Sequence, residues 1–310
     1  MMRVYKKLDN VITIANALQL GVSELKGRVR KTGFNNINLT FNPRLDADVL
    51  LEYVLNVDRT YVLTHNEKQI SNPDFERYMA LVRRRKDGEP LQYLTGRQEF
   101  WGLEFKVTPD VLIPRPETEL IIELALNILR PHFERPFICD IGTGSGCIAI
   151  ALLYEMAGAT AVGVDISEKA LSVAVTNARR HGVADRFTVL PSDIYNSFSI
   201  DETGGIDNPF TIVVSNPPYI PEDEIPTLQT EVRDHEPFVA LTSGGDGLSI
   251  IRRLLKESPR YLMSNGYLIF EIGFDQSETV HHLIDQNVWK VVDLALDLQA
   301  IPRVFVLQLN

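Results

Sequence analysis

From residue 137 onward, short apolar runs closed by Gly, Asp or Asn alternate with stretches of helical length, and this alternation leaves few folds open. Phe137-Ile-Cys-Asp-Ile, Ala161-Val-Gly-Val-Asp, Phe187-Thr-Val-Leu, Phe210-Thr-Ile-Val-Val-Ser and Tyr267-Leu-Ile-Phe-Glu-Ile are the runs, and residues 168–181 and 247–263 are two of the helical stretches between them. Strands apolar on both faces and separated by helices predict a parallel sheet covered on both sides. The last two runs, 288–296 and Arg303-Val-Phe-Val-Leu-Gln-Leu, are joined only by a short link around Pro302. So short a link cannot make a right-handed crossover, so the last strand is expected antiparallel beside its predecessor. An α/β sheet, mostly parallel with one reversed strand at the end, is not the usual dinucleotide-dehydrogenase arrangement.

The first ninety or so residues follow another pattern. Asp46-Ala-Asp-Val-Leu-Leu-Glu-Tyr-Val-Leu has apolar positions at helical spacing, and Asn72-Pro-Asp-Phe-Glu-Arg-Tyr-Met-Ala-Leu-Val opens with a cap-like Asn and a first-turn Pro. Gly88-Glu-Pro stops that helix. Residues 98–113 read as a hairpin turning near Pro109-Asp110. The expected division is a helical domain over 1–94, a hairpin linker over 95–113 and an α/β domain over 114–310.

Composition narrows the functional classes. At 310 residues, 45% hydrophobic and 23% charged, the chain is long enough for two modest domains and too apolar to be wholly disordered. No run approaches the ~18 apolar residues that span a bilayer, and Asp9, Asn10 and Asn16 interrupt the start where a signal peptide needs an apolar core. Cys139 and Cys147 are the only cysteines, too few for a disulfide framework or a cysteine zinc cluster. The expected compartment is therefore the cytoplasm. Thirty-one Lys and Arg against 41 Asp and Glu leave a net charge of -10, which leans away from nucleic acid. The basic run Arg83-Arg-Arg-Lys86 reads as a solvated helix end, where cations suit the dipole, or else as a partner contact.

Two motifs carry chemistry. Asp140-Ile-Gly-Thr-Gly-Ser-Gly-Cys follows the first strand of the alternating region and opens a helix. Gly142, Gly144 and Gly146 permit a tight turn and a close ligand approach, with Thr143 and Ser145 between them. A dehydrogenase fingerprint would carry a third Gly at 147, which is Cys147. Asp165 closes the second strand, where a carboxylate accepts ribose hydroxyls, with Ile166 beside it; Asp193 and Ile194 follow the third strand, where an adenine would lie. A diphosphate favours basic residues, whereas a sulfonium cation favours nearby carboxylates. S-adenosylmethionine is thus expected ahead of a nicotinamide cofactor.

The fourth strand ends Ser215-Asn-Pro-Pro-Tyr-Ile. Pro217 and Pro218 fix their own backbone and push the preceding residue to extended geometry, which makes a rigid arm. On that arm the Asn216 side-chain carbonyl and the Pro217 backbone carbonyl are two acceptors for one planar NH2 group, and Tyr219 offers a ring to stack on it. An amide or exocyclic amine nitrogen is a poor nucleophile because its lone pair is delocalised. Two acceptors on its N–H bonds localise that pair and stabilise charge developing on nitrogen.

These residues resemble the class I, S-adenosylmethionine-dependent protein-(glutamine-N5) methyltransferases of the HemK/PrmC family, which modify peptide-chain release factors. The resemblance covers nearly the whole chain. Beyond the two motifs it includes Gly88-Glu-Pro-Leu-Gln-Tyr-Leu-Thr-Gly, Phe100-Trp, Ile113-Pro-Arg-Pro-Glu-Thr-Glu, His235-Glu-Pro and Gly244-Gly-Asp-Gly-Leu. It implies a Rossmann-like catalytic domain behind a small helical domain and a hairpin. It also implies methylation of the glutamine in a Gly-Gly-Gln tripeptide of a release factor, with S-adenosylhomocysteine as the other product. By position, Gly142 to Gly146, Asp165 and Ile194 match cofactor contacts and Asn216 to Tyr219 match the glutamine clamp. Ile194 departs from relatives with an aromatic residue there, replacing ring stacking by apolar cover.

Further candidates are Phe100 and Trp101, as cofactor shelter or hairpin packing, and Arg115 and Glu117, as a pocket closure or a helix start. Glu271 is a candidate at the end of its strand, and His235 and Glu236 form an acid–base pair or none. Scattered histidines, with His281-His282 in a surface helix, give no metal site. The expected partner is a release factor, with neither stable nucleic-acid binding nor membrane contact, and the chain is expected to be a monomer. An adenine-N6 methyltransferase would use the same clamp but needs a base-flipping surface. A ribosomal-protein glutamine methyltransferase differs only in partner, and a non-catalytic platform would not need an intact clamp.

Overall fold

The computed structural model describes residues 12–27, 41–199 and 206–310. Asp9 and Asn10 lie outside the described residues. The chain forms two compact units, one of residues up to Gly96 with Gln229–His235, the other of Arg97–Leu228 with Glu236–Asn310.

The first unit is helical. α1 (Ile14–Lys26) starts at a capping box in which Thr13 and Asn16 bond each other's backbone. α2 (Pro43–Leu55) is capped by Asn42 and stopped by Asn56 in the left-handed region, and α3 (Arg59–Thr64) is capped by Asp58. α4 (Asn72–Lys86) is capped by Ser71, whose Oγ accepts from the Asp74 N–H, so the cap lies one residue before the Asn expected from sequence. α5 (Leu91–Thr95) ends on Gly96. Ile14, Leu18, Leu50, Leu51, Tyr78 and Val82 meet in its core. The basic run does end α4, but it is not wholly solvated. Arg85 is 3% exposed and donates to Asp46 at 2.6 Å and to Glu231 at 3.1 Å, so this cation neutralises two acids instead of facing water. Glu231 belongs to the short helix in Gln229–His235, the segment that joins this unit from late in the chain.

The second unit opens with β1 (Arg97–Phe100) and β2 (Leu103–Lys106), an antiparallel hairpin. Its turn is Trp101-Gly102, both at positive φ, and not Pro109-Asp110. A Trp in that region is held from outside: its N–H donates to Glu119 at 2.7 Å and its indole to Glu155 at 2.9 Å. There follow α6 (Glu119–His132), β3 (Phe137–Ile141), α7 (Cys147–Glu155), β4 (Thr160–Asp165), α8 (Glu168–Arg180), β5 (Phe187–Pro191) and β6 (Phe210–Ser215). After β6 come α9 (Thr230–Arg233) of the helical unit, α10 (Phe238–Leu241), α11 (Ser249–Glu257), β7 (Leu262–Glu271), α12 (Ser277–Leu283), β8 (Trp289–Leu296) and β9 (Pro302–Leu309). α11 is shorter than its sequence stretch, because Ser258–Arg260 tightens into a 3₁₀ turn and β7 begins at Leu262.

The strand order is β5-β4-β3-β6-β7-β9-β8, and every neighbouring pair is parallel except those of β9, which runs antiparallel to both β7 and β8. The reversed strand is thus slotted inside the edge rather than at it. Successive residues feed opposite faces. Ile138, Ile212, Ile269 and Val304 pack under α6, α7 and α8, while Cys139, Val213, Phe270 and Phe305 pack under α11 and α12. This is the class I methyltransferase-type, Rossmann-like sandwich, and it brings the ends of β3, β4, β6 and β7 to one edge. No helix among the described residues is long and apolar enough to cross a membrane.

Candidate active site

The loop after β3 folds onto the end of β4, with the N–H groups of Gly142 and Thr143 both donating to the Val164 carbonyl at 2.9 Å. Gly142, Gly144 and Gly146 all have positive φ, but they serve two purposes. A Cβ at Gly142 would meet nothing within 4 Å, and one at Gly144 only the Gly142 carbonyl at 3.9 Å, so these two keep an open cradle. At Gly146 a Cβ would lie 2.8 Å from Ile150 Cδ1 and 3.2 Å from Ala174 Cβ, so that glycine lets α7 and α8 close up.

The acids at the strand ends do not share one role. Asp165 stands half-buried at the edge of the loop, accepting from the Gly144 N–H and the Ser167 N–H, each at 2.9 Å. Burial raises its pKa, those donors pull it down, and each oxygen keeps a lone pair for a ligand hydroxyl. Ile166, next to it, is 69% exposed at the lip of the cradle. Asp140 instead lies fully buried beneath the loop. Its Oδ2 accepts from Thr143 Oγ1 at 2.7 Å and from the Ala149 N–H at 3.3 Å, while Oδ1 has no partner. Burial pushes this carboxyl up to about 7. Thr143 and Ser145 are buried as well, so the three expected ligand contacts Asp140, Thr143 and Ser145 are the loop's underside.

The third-strand acid also departs from expectation. Asp193 is exposed and paired with Arg253 at 2.6 Å, a partner sixty residues away. Ile194 is buried with Ile141 and Val164, at a φ of 54°, rare for a β-branched residue. Ser192 Oγ pins that turn, donating to the Ile194 carbonyl and accepting from the Ser197 N–H. Phe100 is core, edge-on to Phe105.

At the end of β6 the arm is braced from behind by a buried polar chain. Asn216 Nδ2 donates to Thr118 Oγ1 at 2.9 Å, Thr118 Oγ1 donates to Glu271 Oε2 at 2.7 Å, and Tyr219 Oη donates to Glu271 Oε1 at 3.0 Å. Thr118 and Glu271 are each 2% exposed. Burial raises the Glu271 pKa, against the pull of both hydroxyls and Arg303; Glu117 adds to the rise. The Tyr219 phenol is pushed well above its ordinary range by burial and by Glu271. Gln276 Nε2 donates to the Tyr219 carbonyl at 2.8 Å, and Ser215 Oγ donates to the Ile141 carbonyl at 2.8 Å, which ties the arm to β3. Arg115 pairs with the buried Glu236, which also accepts from the Ile113 N–H, so Glu236 is spent as a strut.

Three contributors escaped the sequence reading. Thr118 sits inside Ile113-Pro-Arg-Pro-Glu-Thr-Glu, where only its neighbours drew notice. Gly247 backs the arm directly, as the last glycine of Gly244-Gly-Asp-Gly-Leu. Asn177, fully buried in α8, bonds both backbone groups of Lys106 and the Ser145 carbonyl, joining hairpin to glycine loop. Nothing in its local sequence marks it.

An open glycine cradle, a half-buried carboxylate at Asp165 and an exposed Ile166 fit a cationic nucleoside better than a diphosphate, and residues 140–146 include no Lys or Arg. Comparison with known proteins agrees. The family model described as PrmC N-terminal domain matches residues 38–96, and that of a methyltransferase domain matches 136–295. A release factor glutamine methyltransferase of Koribacter versatilis is 42% identical over 268 residues, covering 86% of this chain and 91% of that protein. The enzyme of that name from Geobacter sulfurreducens is 40% identical over 263 residues, covering 85% and 88%. A solved protein-(glutamine-N5) methyltransferase (release factor-specific) from Alicyclobacillus acidocaldarius is 26% identical, with a TM-score of 0.40, covering 66% of this chain and 99% of that one. With 42% and 40% identity to the first two of these proteins over most of both chains, this chain belongs to the release factor glutamine methyltransferase family.

Proposed function

We propose that this protein methylates the side-chain amide nitrogen of the glutamine in a Gly-Gly-Gln tripeptide of a peptide-chain release factor, with S-adenosylmethionine as the methyl donor and S-adenosylhomocysteine as the product. The cofactor supplies a methyl already activated by its sulfonium charge. Gly142 and Gly144 leave room for it, Asp165 accepts its ribose hydroxyls and Ile166 covers its base. Asp140 holds the loop from below through Thr143 and Ala149.

One observation carries the reading: the Asn216 amide has its NH2 turned back onto Thr118, which leaves its carbonyl as the outward group. With the Pro217 carbonyl, that oxygen takes the two N–H bonds of the substrate amide, orients its lone pair and stabilises the charge that builds on nitrogen. Tyr219, anchored through its phenol and its carbonyl, gives the amide plane a fixed wall. Both acceptors are neutral carbonyls, so the proton displaced from nitrogen passes on to water. Holding two reactants in line supplies up to ~7–11 kcal/mol in favourable cases.

The test offers radiolabelled S-adenosylmethionine with a purified release factor or with DNA. Label appears on the release factor as one methyl on the Gly-Gly-Gln peptide; label on DNA overturns the reading. Asn216→Ala abolishes transfer and leaves cofactor binding nearly intact, and near-normal turnover in that variant disproves the clamp.

A further inference from the structure

We infer that Glu271, acting through Thr118, is the positioning group that decides which way the Asn216 amide faces. The inference rests on the clamp reading above and adds two residues to it. A carboxylate only accepts hydrogen bonds. Glu271 takes the Thr118 hydroxyl on one oxygen and the Tyr219 hydroxyl on the other. Thr118 has a single hydroxyl proton, and giving it to Glu271 leaves only lone pairs facing Asn216. The group 2.9 Å away must then be the NH2 end of the amide, so the carbonyl end faces out. With the amide flipped, donors would meet the donors of a substrate NH2, and transfer would stop.

Thr118 and Glu271 are almost wholly buried, so water cannot stand in for either. The chain is also long-range: Thr118 precedes α6, Glu271 ends β7 and Asn216 follows β6, so the fold itself assembles it. The groups that face Glu271 are the Thr118 and Tyr219 hydroxyls, Arg303 and Glu117. Protonated Glu271 has a proton of its own to give, which frees the Thr118 proton and lets the relay run backwards. Activity therefore has an acid limb above the ordinary carboxylate range.

The experiment measures kcat and KM on a release factor at saturating S-adenosylmethionine, across pH, for wild type, Thr118→Val, Thr118→Ser and Glu271→Gln, with Asn216→Ala alongside. Thr118→Val keeps the branched shape and loses the hydroxyl. Its kcat falls about tenfold, its KM and cofactor affinity stay within about twofold, and Thr118→Ser restores most of the loss. Glu271→Gln loses the acid limb. If Thr118→Val keeps wild-type kcat, or Thr118→Ser loses as much as Thr118→Val, the relay is overturned while an inactive Asn216→Ala leaves the clamp standing. If wild type leaves the release factor unmethylated, or Asn216→Ala is fully active, the functional reading fails first.

Discussion

Gly247→Ala is the perturbation that strikes the clamp without removing any polar group from it. Gly247 has a φ of 74°, and a Cβ there would lie 2.1 Å from the Tyr219 carbonyl oxygen and 2.8 Å from its carbonyl carbon. Carbon and oxygen normally meet no closer than ~3.3 Å, so one side must retreat by about 1 Å. The glycine side is pinned: its N–H donates to the Gly244 carbonyl, and Asp246 is held by Arg252 and by the Leu248 N–H. The arm therefore moves, and it carries Asn216 with it. Left-handed strain adds about 1–2 kcal/mol and overpacking about 1–3 kcal/mol, so the protein folds with a lowered melting temperature. A displacement of ~1 Å at the reacting group lowers kcat by about a hundredfold. Gly245→Ala is the control, since its φ is also positive but a Cβ there meets nothing within 4 Å. Melting curves, cofactor titration calorimetry and kcat on a release factor read the outcome. Equal kcat for the two variants would refute the argument, because loop strain would then explain everything and contact with Tyr219 nothing.

Other expectations follow from the same geometry. Gly142→Ala strains a left-handed residue by about 1–2 kcal/mol but fills open ground, so calorimetry finds a folded protein that has lost cofactor affinity; unchanged affinity would remove Gly142 from the cradle. Asp140 titrates near 7 when folded and near ~3.9 when unfolded. Its proton therefore favours the fold, and that stability, complete below the unfolded value, is lost as pH rises through about 7. Denaturant unfolding without cofactor finds Asp140→Asn progressively more stable than wild type over that window, by up to about 4 kcal/mol, and parallel pH curves would contradict it. In the helical unit, Arg85→Ala leaves Asp46 and Glu231 buried without that cation and costs about 3–5 kcal/mol, whereas exposed Arg83→Ala stays within about 0.5 kcal/mol. Similar melting temperatures for the two would show that the buried ion pairs hold nothing.

Particular residues show how far the sequence could be read. The parallel strands were legible because a strand buried on both faces is mostly apolar, as the wholly buried β6 is apart from Thr211 and Ser215. The glycine loop and the Asn-Pro-Pro-Tyr corner were legible because glycine and proline restrict the backbone within a residue or two of themselves. The hairpin turn was misplaced because Trp101 tolerates its left-handed φ only through Glu119 and Glu155, 18 and 54 residues away. Arg85 looked like one of four solvated cations, and its partners lie 39 and 146 residues off. Asp193 looked like a ligand contact until Arg253 was brought beside it.

The amino-acid order alone determined the main strands and helices, the α/β alternation, the tight glycine turn after β3 and the stiffness of the arm, since these depend on backbone sterics and side-chain periodicity over short range. Only the tertiary structure decided that Asp140 lies under the loop while Asp165 sits at its edge, that Glu236 is a strut, and that Thr118 and Glu271 turn the Asn216 amide outward. Those outcomes depend on which polar groups meet when solvent is removed. A buried donor or acceptor takes its partner from whatever the packed sheet brings within reach, however distant in the chain.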